Sequence, residues 1–239
     1  MADQRKFGDL FRMETPESED ATGQAQFANV VNLTNEQIAV VLGLKQWVSD
    51  PGTQVLTFGG YAGTGKTTTL GFFARDMKHL RIAYCTLSGK ASTVLNRSLR
   101  ANGIMPMYCG TLHRLMYTPD ADEATGEIKG WVKKAELSYD LIVLDEASMI
   151  NEELLDDLKS YGVPILACGD QGQLPPIGDG LNLMENPTLR LETIHRQALE
   201  NPIIALTAAV RKGGDWRSLV KACQDPRVVN VERDDMSYF

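Results

Sequence analysis

The stretch GGYAGTGKTTTL, residues 59–70, constrains the fold of this chain more than any other. It contains Gly60-x-x-x-x-Gly65-Lys66-Thr67, follows the apolar run Val55–Phe58 and opens a segment of helical pattern. A strand, a glycine-rich turn and a helix in that order form the context a phosphate-binding loop requires. In such a loop, backbone N–H groups and the helix N-terminus cradle phosphates, the lysine reaches the β- and γ-phosphates, and the threonine hydroxyl ligates Mg²⁺. Gly60, Gly63, Thr64, Gly65, Lys66, Thr67 and Thr68 are therefore the candidate nucleotide-binding residues, with Thr67 a metal ligand.

The rest of the chain alternates in the same sense. The pattern predicts a helix from Leu33 to about Val48, with Thr34 as N-cap and Gln37 three residues on, the spacing of a capping box. It then predicts strand Val55–Phe58, helix Lys66–Lys78, strand Arg81–Thr86, helix Lys90–Asn102, strand Leu141–Leu144, helix Glu152–Tyr161, strand Val163–Cys168 and helix Pro202–Lys212. Strands alternating with helices imply an α/β fold, a parallel sheet with helices on both faces. The polar, turn-rich stretch Tyr117–Leu137 is too long for a simple connection and reads as an insertion. Residues 1–30 combine acidic residues, Ser, Thr, Gly and Pro with little to bury, which predicts a poorly ordered extension.

Two further stretches carry chemistry. In LIVLDEASMI, four apolar residues deliver Asp145 and Glu146 to the carboxyl end of a buried strand. Asp145 can hold Mg²⁺ there, and the adjacent Glu146 is free to orient and deprotonate an attacking water. In CGDQGQLPPIG, the strand Val163–Cys168 is ended by Gly169, Pro175 and Pro176, which leaves Asp170 and Gln173 in a loop where open α/β sheets bind ligands.

Composition narrows the setting. The 239 residues are 43% hydrophobic and 23% charged, enough to bury a real core. Cys85, Cys109, Cys168 and Cys223 are scattered without a C-x-x-C pair, which argues against a zinc site or a disulfide framework and for a reducing compartment. No apolar run reaches the length of a membrane span, and the first twenty residues lack a signal-peptide core, so no membrane partner and a cytoplasmic location are expected, the host's cytoplasm if the chain is phage-encoded. The net charge of −7 excludes a general polycation but not a local basic groove for nucleic acid.

Taken together, LTNEQ, GYAGTGKTT, TLSGKAS, TLHRLM, LDEASM, GDQGQLPPIGDG and LETIHRQ resemble, in order and spacing over residues 33–212, the superfamily 1 DNA helicases of the RecD-like and Dda-like branch. The resemblance implies a RecA-like P-loop ATPase domain over residues 31–212 that uses ATP and Mg²⁺. It further implies that Gln37 reads the adenine edge, that Gln173 senses the γ-phosphate and couples it to DNA, and that Arg196 stabilises charge in the transition state. Glu146, Lys66, Gln173 and Arg196 would then be the catalytic set. The alternatives are that Gln37 only caps its helix and that His195, beside Arg196, is a solvated loop residue.

By the same resemblance, Ser88 and Lys90 of TLSGKAS and Thr111 and His113 of TLHRLM would contact the phosphates and sugars of single-stranded DNA, or of the strands of a duplex or fork. Leu87 stands where the family usually has proline, and each of the four also reads as an ordinary cap or turn residue. The insertion takes the place of the family's strand-separating hairpin, with Trp131 able either to stack on a base or to pack the hairpin onto its domain. Family members continue into a second RecA-like domain, whereas residues 213–239 leave room for only a helix and a strand, so a second motor domain in trans or beyond the chain is expected. A helicase motor half, translocating 5′ to 3′ by resemblance, and a nucleotide-dependent DNA-binding or regulatory protein both stay open; the presence of Glu146, Gln173 and Arg196 favours the first.

Overall fold

The computed structural model describes residues 33–122, 125–173, 182–195 and 201–223, together with 225, 226 and 228. The expected extension of residues 1–30, the proline pair at 175–176 and Arg196 lie outside the described residues.

Helix α1 (Asn35–Ser49) begins at a complete capping box: the Gln37 amide donates to Thr34 Oγ1 at 3.3 Å, and the Thr34 amide donates to Gln37 Oε1 at 3.0 Å. Then follow β1 (Val55–Gly60), α2 (Lys66–Asp76), β2 (Ile82–Thr86), α3 (Gly89–Ala101), β3 (Tyr108–Thr111) and the short α4 (Leu112–Met116). A hairpin of β4 (Tyr117–Ala121) and β5 (Ile128–Lys133) leads to β6 (Leu141–Leu144), a 3₁₀ turn (Ala147–Met149) and α5 (Glu152–Lys159). The last described elements are β7 (Ile165–Gly169), β8 (Leu189–Leu191), α6 (Pro202–Arg211) and α7 (Trp216–Ala222).

The main sheet is six-stranded and parallel throughout, in the order β3-β2-β6-β7-β1-β8. Because side chains alternate between faces along a strand, each inner strand divides its residues between two cores. Leu56, Phe58, Ile82, Tyr84, Leu141, Val143, Leu166 and Cys168 pack with residues of α1, α2 and α3. Ala83, Cys85, Ile142, Leu144, Ile165 and Ala167 pack with residues of α4 and α5 on the opposite side. Burial on both faces accounts for the near-continuous apolar runs of LIVL and ILAC. All four cysteines are free, and burial pushes the Cys85 and Cys168 thiols up, so both are inert core residues. Among the described residues no helix is long and apolar enough to cross a membrane.

The predicted insertion is the hairpin β4–β5, an antiparallel pair with an irregularity between Asp120 and Ala121. Its base is tied down on several sides. Asp157 of α5 accepts from the Tyr117 hydroxyl and pairs with Lys133 Nζ at 2.6 Å. Lys134 Nζ donates to the carbonyls of Leu115 at 2.8 Å and Arg114 at 3.0 Å, which neutralises the carboxyl end of α4. Tyr161 donates to the Met116 carbonyl at 2.9 Å.

Phe58 is completely buried between the sheet and its helices. Phe58→Ala is expected to cost about 3–5 kcal/mol of unfolding free energy through lost burial and a residual cavity, measurable as a lower urea midpoint with an unchanged slope.

Candidate active site

The strand order decides which loops meet. β7 lies between β1 and β6, so the loop leaving β7 must lie between the phosphate-binding loop and the acidic pair. Register sharpens this: Thr57, Ala167 and Leu144 form one row across the three strands. Asp145, Cys168 and Phe58 therefore follow one step up, and the loops begin immediately above them.

The loop after β1 is shaped by Gly65, whose φ of 87° lies in the left-handed region. A side chain there would be strained, and its Cβ would collide with Gln37 Nε2. Thr64 is buried, and its hydroxyl donates to the Tyr61 carbonyl at 2.8 Å. Lys66 Nζ donates back to the carbonyls of Gly60 and, at 3.3 Å, Tyr61. Thr67 and Thr68 stand half-buried in the first turn of α2.

Gln37 is 3% exposed, and both ends of its amide are engaged. Its oxygen serves the capping box, which orients Nε2 toward the Thr64 carbonyl at 3.3 Å and His195 Nε2 at 3.0 Å. His195 does not behave as a solvated loop residue. Its ring nitrogen lies 3.0 Å from the Thr64 carbonyl, and its amide donates to the Gly63 carbonyl at 3.1 Å. Sequence reasoning missed this contact because histidine in a polar stretch carries no burial signal of its own.

At the end of β6, Asp145 is held by the ladder bond from its amide to the Cys85 carbonyl at 2.8 Å. Burial, and then the charge of Glu146, push its carboxyl above the usual carboxylate range, while Lys66 pulls the other way. Glu146 follows with φ 57° and ψ 37°, the only positive φ outside glycine among the described residues. Such a conformation in a glutamate is strained and is held by its surroundings. Gln173 supplies part of the hold: its Nε2 donates to Glu146 Oε2 at 3.0 Å, and its Oε1 accepts from the Ser148 hydroxyl at 2.7 Å. Ser148 is a site residue that sequence reasoning missed; its place in LDEASM was the available signal. Asp170 is 8% exposed and accepts from the amides of Ala62 at 3.1 Å and Gly172 at 2.7 Å, which ties the loop after β7 to the loop after β1.

Thr67 in the first turn of α2 and Asp145 at the end of β6 are oxygen donors of the kind that suits a hard cation such as Mg²⁺, which keeps several waters and takes phosphate oxygens. The buried, electrostatically frustrated carboxylate of Asp145 fits such a role, because a cation relieves its desolvation.

On the other side of β6 from β7, the four candidate DNA contacts cluster at the carboxyl ends of β2 and β3. Ser88 caps α3, accepting from the Ala91 amide at 3.2 Å, and Lys90 is exposed in that helix's first turn. Thr111 caps α4, accepting from the Arg114 amide at 3.3 Å. His113 stacks on Tyr117 at 4.7 Å and meets the Trp131 ring edge-on at 4.4 Å. Trp131 thus packs the hairpin onto its domain while 45% of its surface stays exposed.

The raised carboxyl of Asp145 fixes the sign of a pH effect. A group whose folded-state pKa exceeds its unfolded value stabilises the fold below the unfolded pKa and loses that contribution as pH rises through the folded value. Asp145→Asn is therefore expected to raise the melting temperature of the metal- and nucleotide-free chain at neutral pH. The gain should shrink as the pH is lowered into the carboxylate range, as followed by thermal melts across pH.

Comparison with known proteins gives the family and the fold. A family model described as an AAA domain matches residues 32–233. The chain is 32% identical over 163 residues to the ATP-dependent RecD2 DNA helicase of Deinococcus radiodurans, covering 64% of this chain and 21% of that protein. It is 32% identical over 191 residues to the ATP-dependent DNA helicase PIF1 of Trypanosoma brucei brucei, covering 70% and 18%. The chain thus spans about a fifth of these relatives' length. In fold it is similar to Bacteroides Pif1 solved bound to single-stranded DNA, with a TM-score of 0.53, 19% identity, and coverage of 80% of this chain and 49% of that one. A phosphate loop, an acidic pair and a bridging glutamine on one parallel sheet, matched by a family model over most of the sequence, place this chain in the AAA domain family as a superfamily 1 motor domain of the RecD- and Pif1-like helicase type.

Proposed function

We propose that this chain is one half of an ATP-driven DNA motor, binding and hydrolysing ATP·Mg²⁺ to drive translocation on single-stranded DNA and strand separation at a duplex or fork. The observation that carries the reading is the bridge from Gln173 to Glu146 and Ser148, beside the phosphate-binding loop. A mere phosphate-binding site has no need of a carboxylate held in a strained backbone by a side chain from the neighbouring loop.

In this reading Thr67 and Asp145 hold Mg²⁺, which supplies charge neutralisation at the phosphates. Lys66 leaves the Gly60 and Tyr61 carbonyls to meet the β- and γ-phosphates. Glu146 orients the attacking water and takes its proton. Gln173 reports the state of the γ-phosphate side to the loop bearing Ser148, and Arg196 stabilises developing charge. Gln37 recognises adenine only if its amide exchanges a present bond, to Thr34, Thr64 or His195, for the base. Ser88, Lys90, Thr111 and His113 meet the DNA backbone, and the hairpin with Trp131 serves as the separating pin. Polarity is 5′ to 3′. A second RecA-like domain, in the same polypeptide or in trans, completes the cleft and supplies a further cation.

Glu146→Gln keeps an acceptor for Gln173 but removes the base, so nucleotide and Mg²⁺ binding are expected to persist while turnover falls by about 10²–10⁴-fold. Lys66→Ala should lose binding itself. Steady-state hydrolysis with single-stranded DNA, alongside equilibrium nucleotide titration, separates the two. An unchanged rate in Glu146→Gln removes Glu146 from the base role.

Single-stranded DNA binding should weaken steeply with salt and show little base preference, because the proposed contacts go to the backbone. Fluorescence anisotropy titrations at several salt concentrations check this. Salt-insensitive, sequence-specific binding would replace the motor with a specific DNA-binding factor.

A further inference from the structure

Arg211, the last residue of α6, belongs to none of the motifs discussed above, yet its guanidinium lies on the nucleotide site. Its Cζ is 4.4 Å from the centroid of the Tyr61 ring, a cation–π distance. Its Nη2 is 3.6 Å from Asp170 Oδ2, with the Arg211 side chain 28% exposed and that of Asp170 10%. Asp170 in turn accepts from the Ala62 amide, so Arg211 and Asp170 together hold two consecutive residues of the phosphate-binding loop, one by its ring and one by its backbone. Gly172 bears the mark of the same contact: a Cβ there would lie 2.7 Å from Arg211 Nε. No residue of α6 is fully buried.

We propose that Arg211 is a positioning residue for the phosphate-binding loop, clamping Tyr61 directly and Ala62 through Asp170, so that nucleotide affinity depends on α6 being docked. This rests on the reading of residues 60–67 as a nucleotide site. Planarity matters as well as charge: a guanidinium can stack on a ring and face a carboxylate in its own plane, whereas an ammonium cannot do both equally well. Deleting the clamp frees the Tyr61–Ala62 limb, and the loop must then be ordered at the expense of nucleotide binding.

The test is equilibrium titration of a fluorescent adenosine diphosphate with Mg²⁺ into the whole chain, with thermal melts in parallel. Arg211→Ala and Tyr61→Leu are each expected to weaken binding roughly five- to twenty-fold. The double variant should be little worse than either single one, because both remove the same contact. Arg211→Lys should fall in between, and Gly172→Ala, which pushes the guanidinium aside, should imitate the loss. Arg211→Ala with affinity within twofold of the parent overturns the proposal, even if its melting temperature falls, since a purely structural arginine would do only that. Additive losses in the double variant also overturn it. Lys66→Ala separates the two levels: if it leaves binding intact, the nucleotide site itself has been misassigned. If it abolishes binding while Arg211→Ala does not weaken it, only the role of Arg211 fails.

Discussion

The structure depends on the parallel register of three buried strands. Thr57, Ala167 and Leu144 share a row, and the phosphate-binding loop, the acidic pair and the loop bearing Asp170 and Gln173 all leave the sheet a few residues beyond it. Had β7 paired elsewhere, Gln173 could not reach Glu146, nor could Asp170 reach Ala62. The register is secured by burial on both faces, since slipping one strand by a residue would send its side chains into the wrong core. The precision of the site is thus inherited from the least polar part of the molecule.

Around that frame the polar groups are held by one another. Lys66 rests on carbonyls of its own loop, Gln37 on Thr34 and Thr64, and Gln173 on Glu146 and Ser148. The strained backbone of Glu146 sits between Asp145 and a 3₁₀ turn, and its side chain is held from a different loop. These internal bonds give the loops of the site their shape.

Much of this was legible in the sequence, for physical reasons. LIVL and ILAC are apolar because they are buried on both faces, and the loop residues are glycine and threonine because the backbone must turn sharply beside α2. The predicted strand Leu141–Leu144 matches the structure residue for residue, and the predicted helices agree with the observed ones to within two residues at either end. The edge strands were not legible. Tyr108–Thr111 is half-buried along its length, and Leu189–Leu191 is three residues long with Arg190 exposed, so neither shows a strand's alternation over enough residues to stand out. His195, Ser148 and Arg211 were hidden for another reason. Each contacts the site through tertiary packing, and a polar residue's sequence neighbours do not disclose which distant loop it will meet.

The footing of the hairpin has a mechanical corollary. Asp157 clasps both arms at their root, through Tyr117 in β4 and Lys133 in β5, while the bulge at Asp120 and Ala121 interrupts the ladder farther out. A cantilever built this way is stiff at the wall and compliant near the bulge. The N-cap of α5, Asn151, comes directly after the segment that bears Ser148 and Glu146. The footing of the hairpin and the acidic loop are therefore joined by one short helix, with Asp157 near its far end and Asn151 at its start.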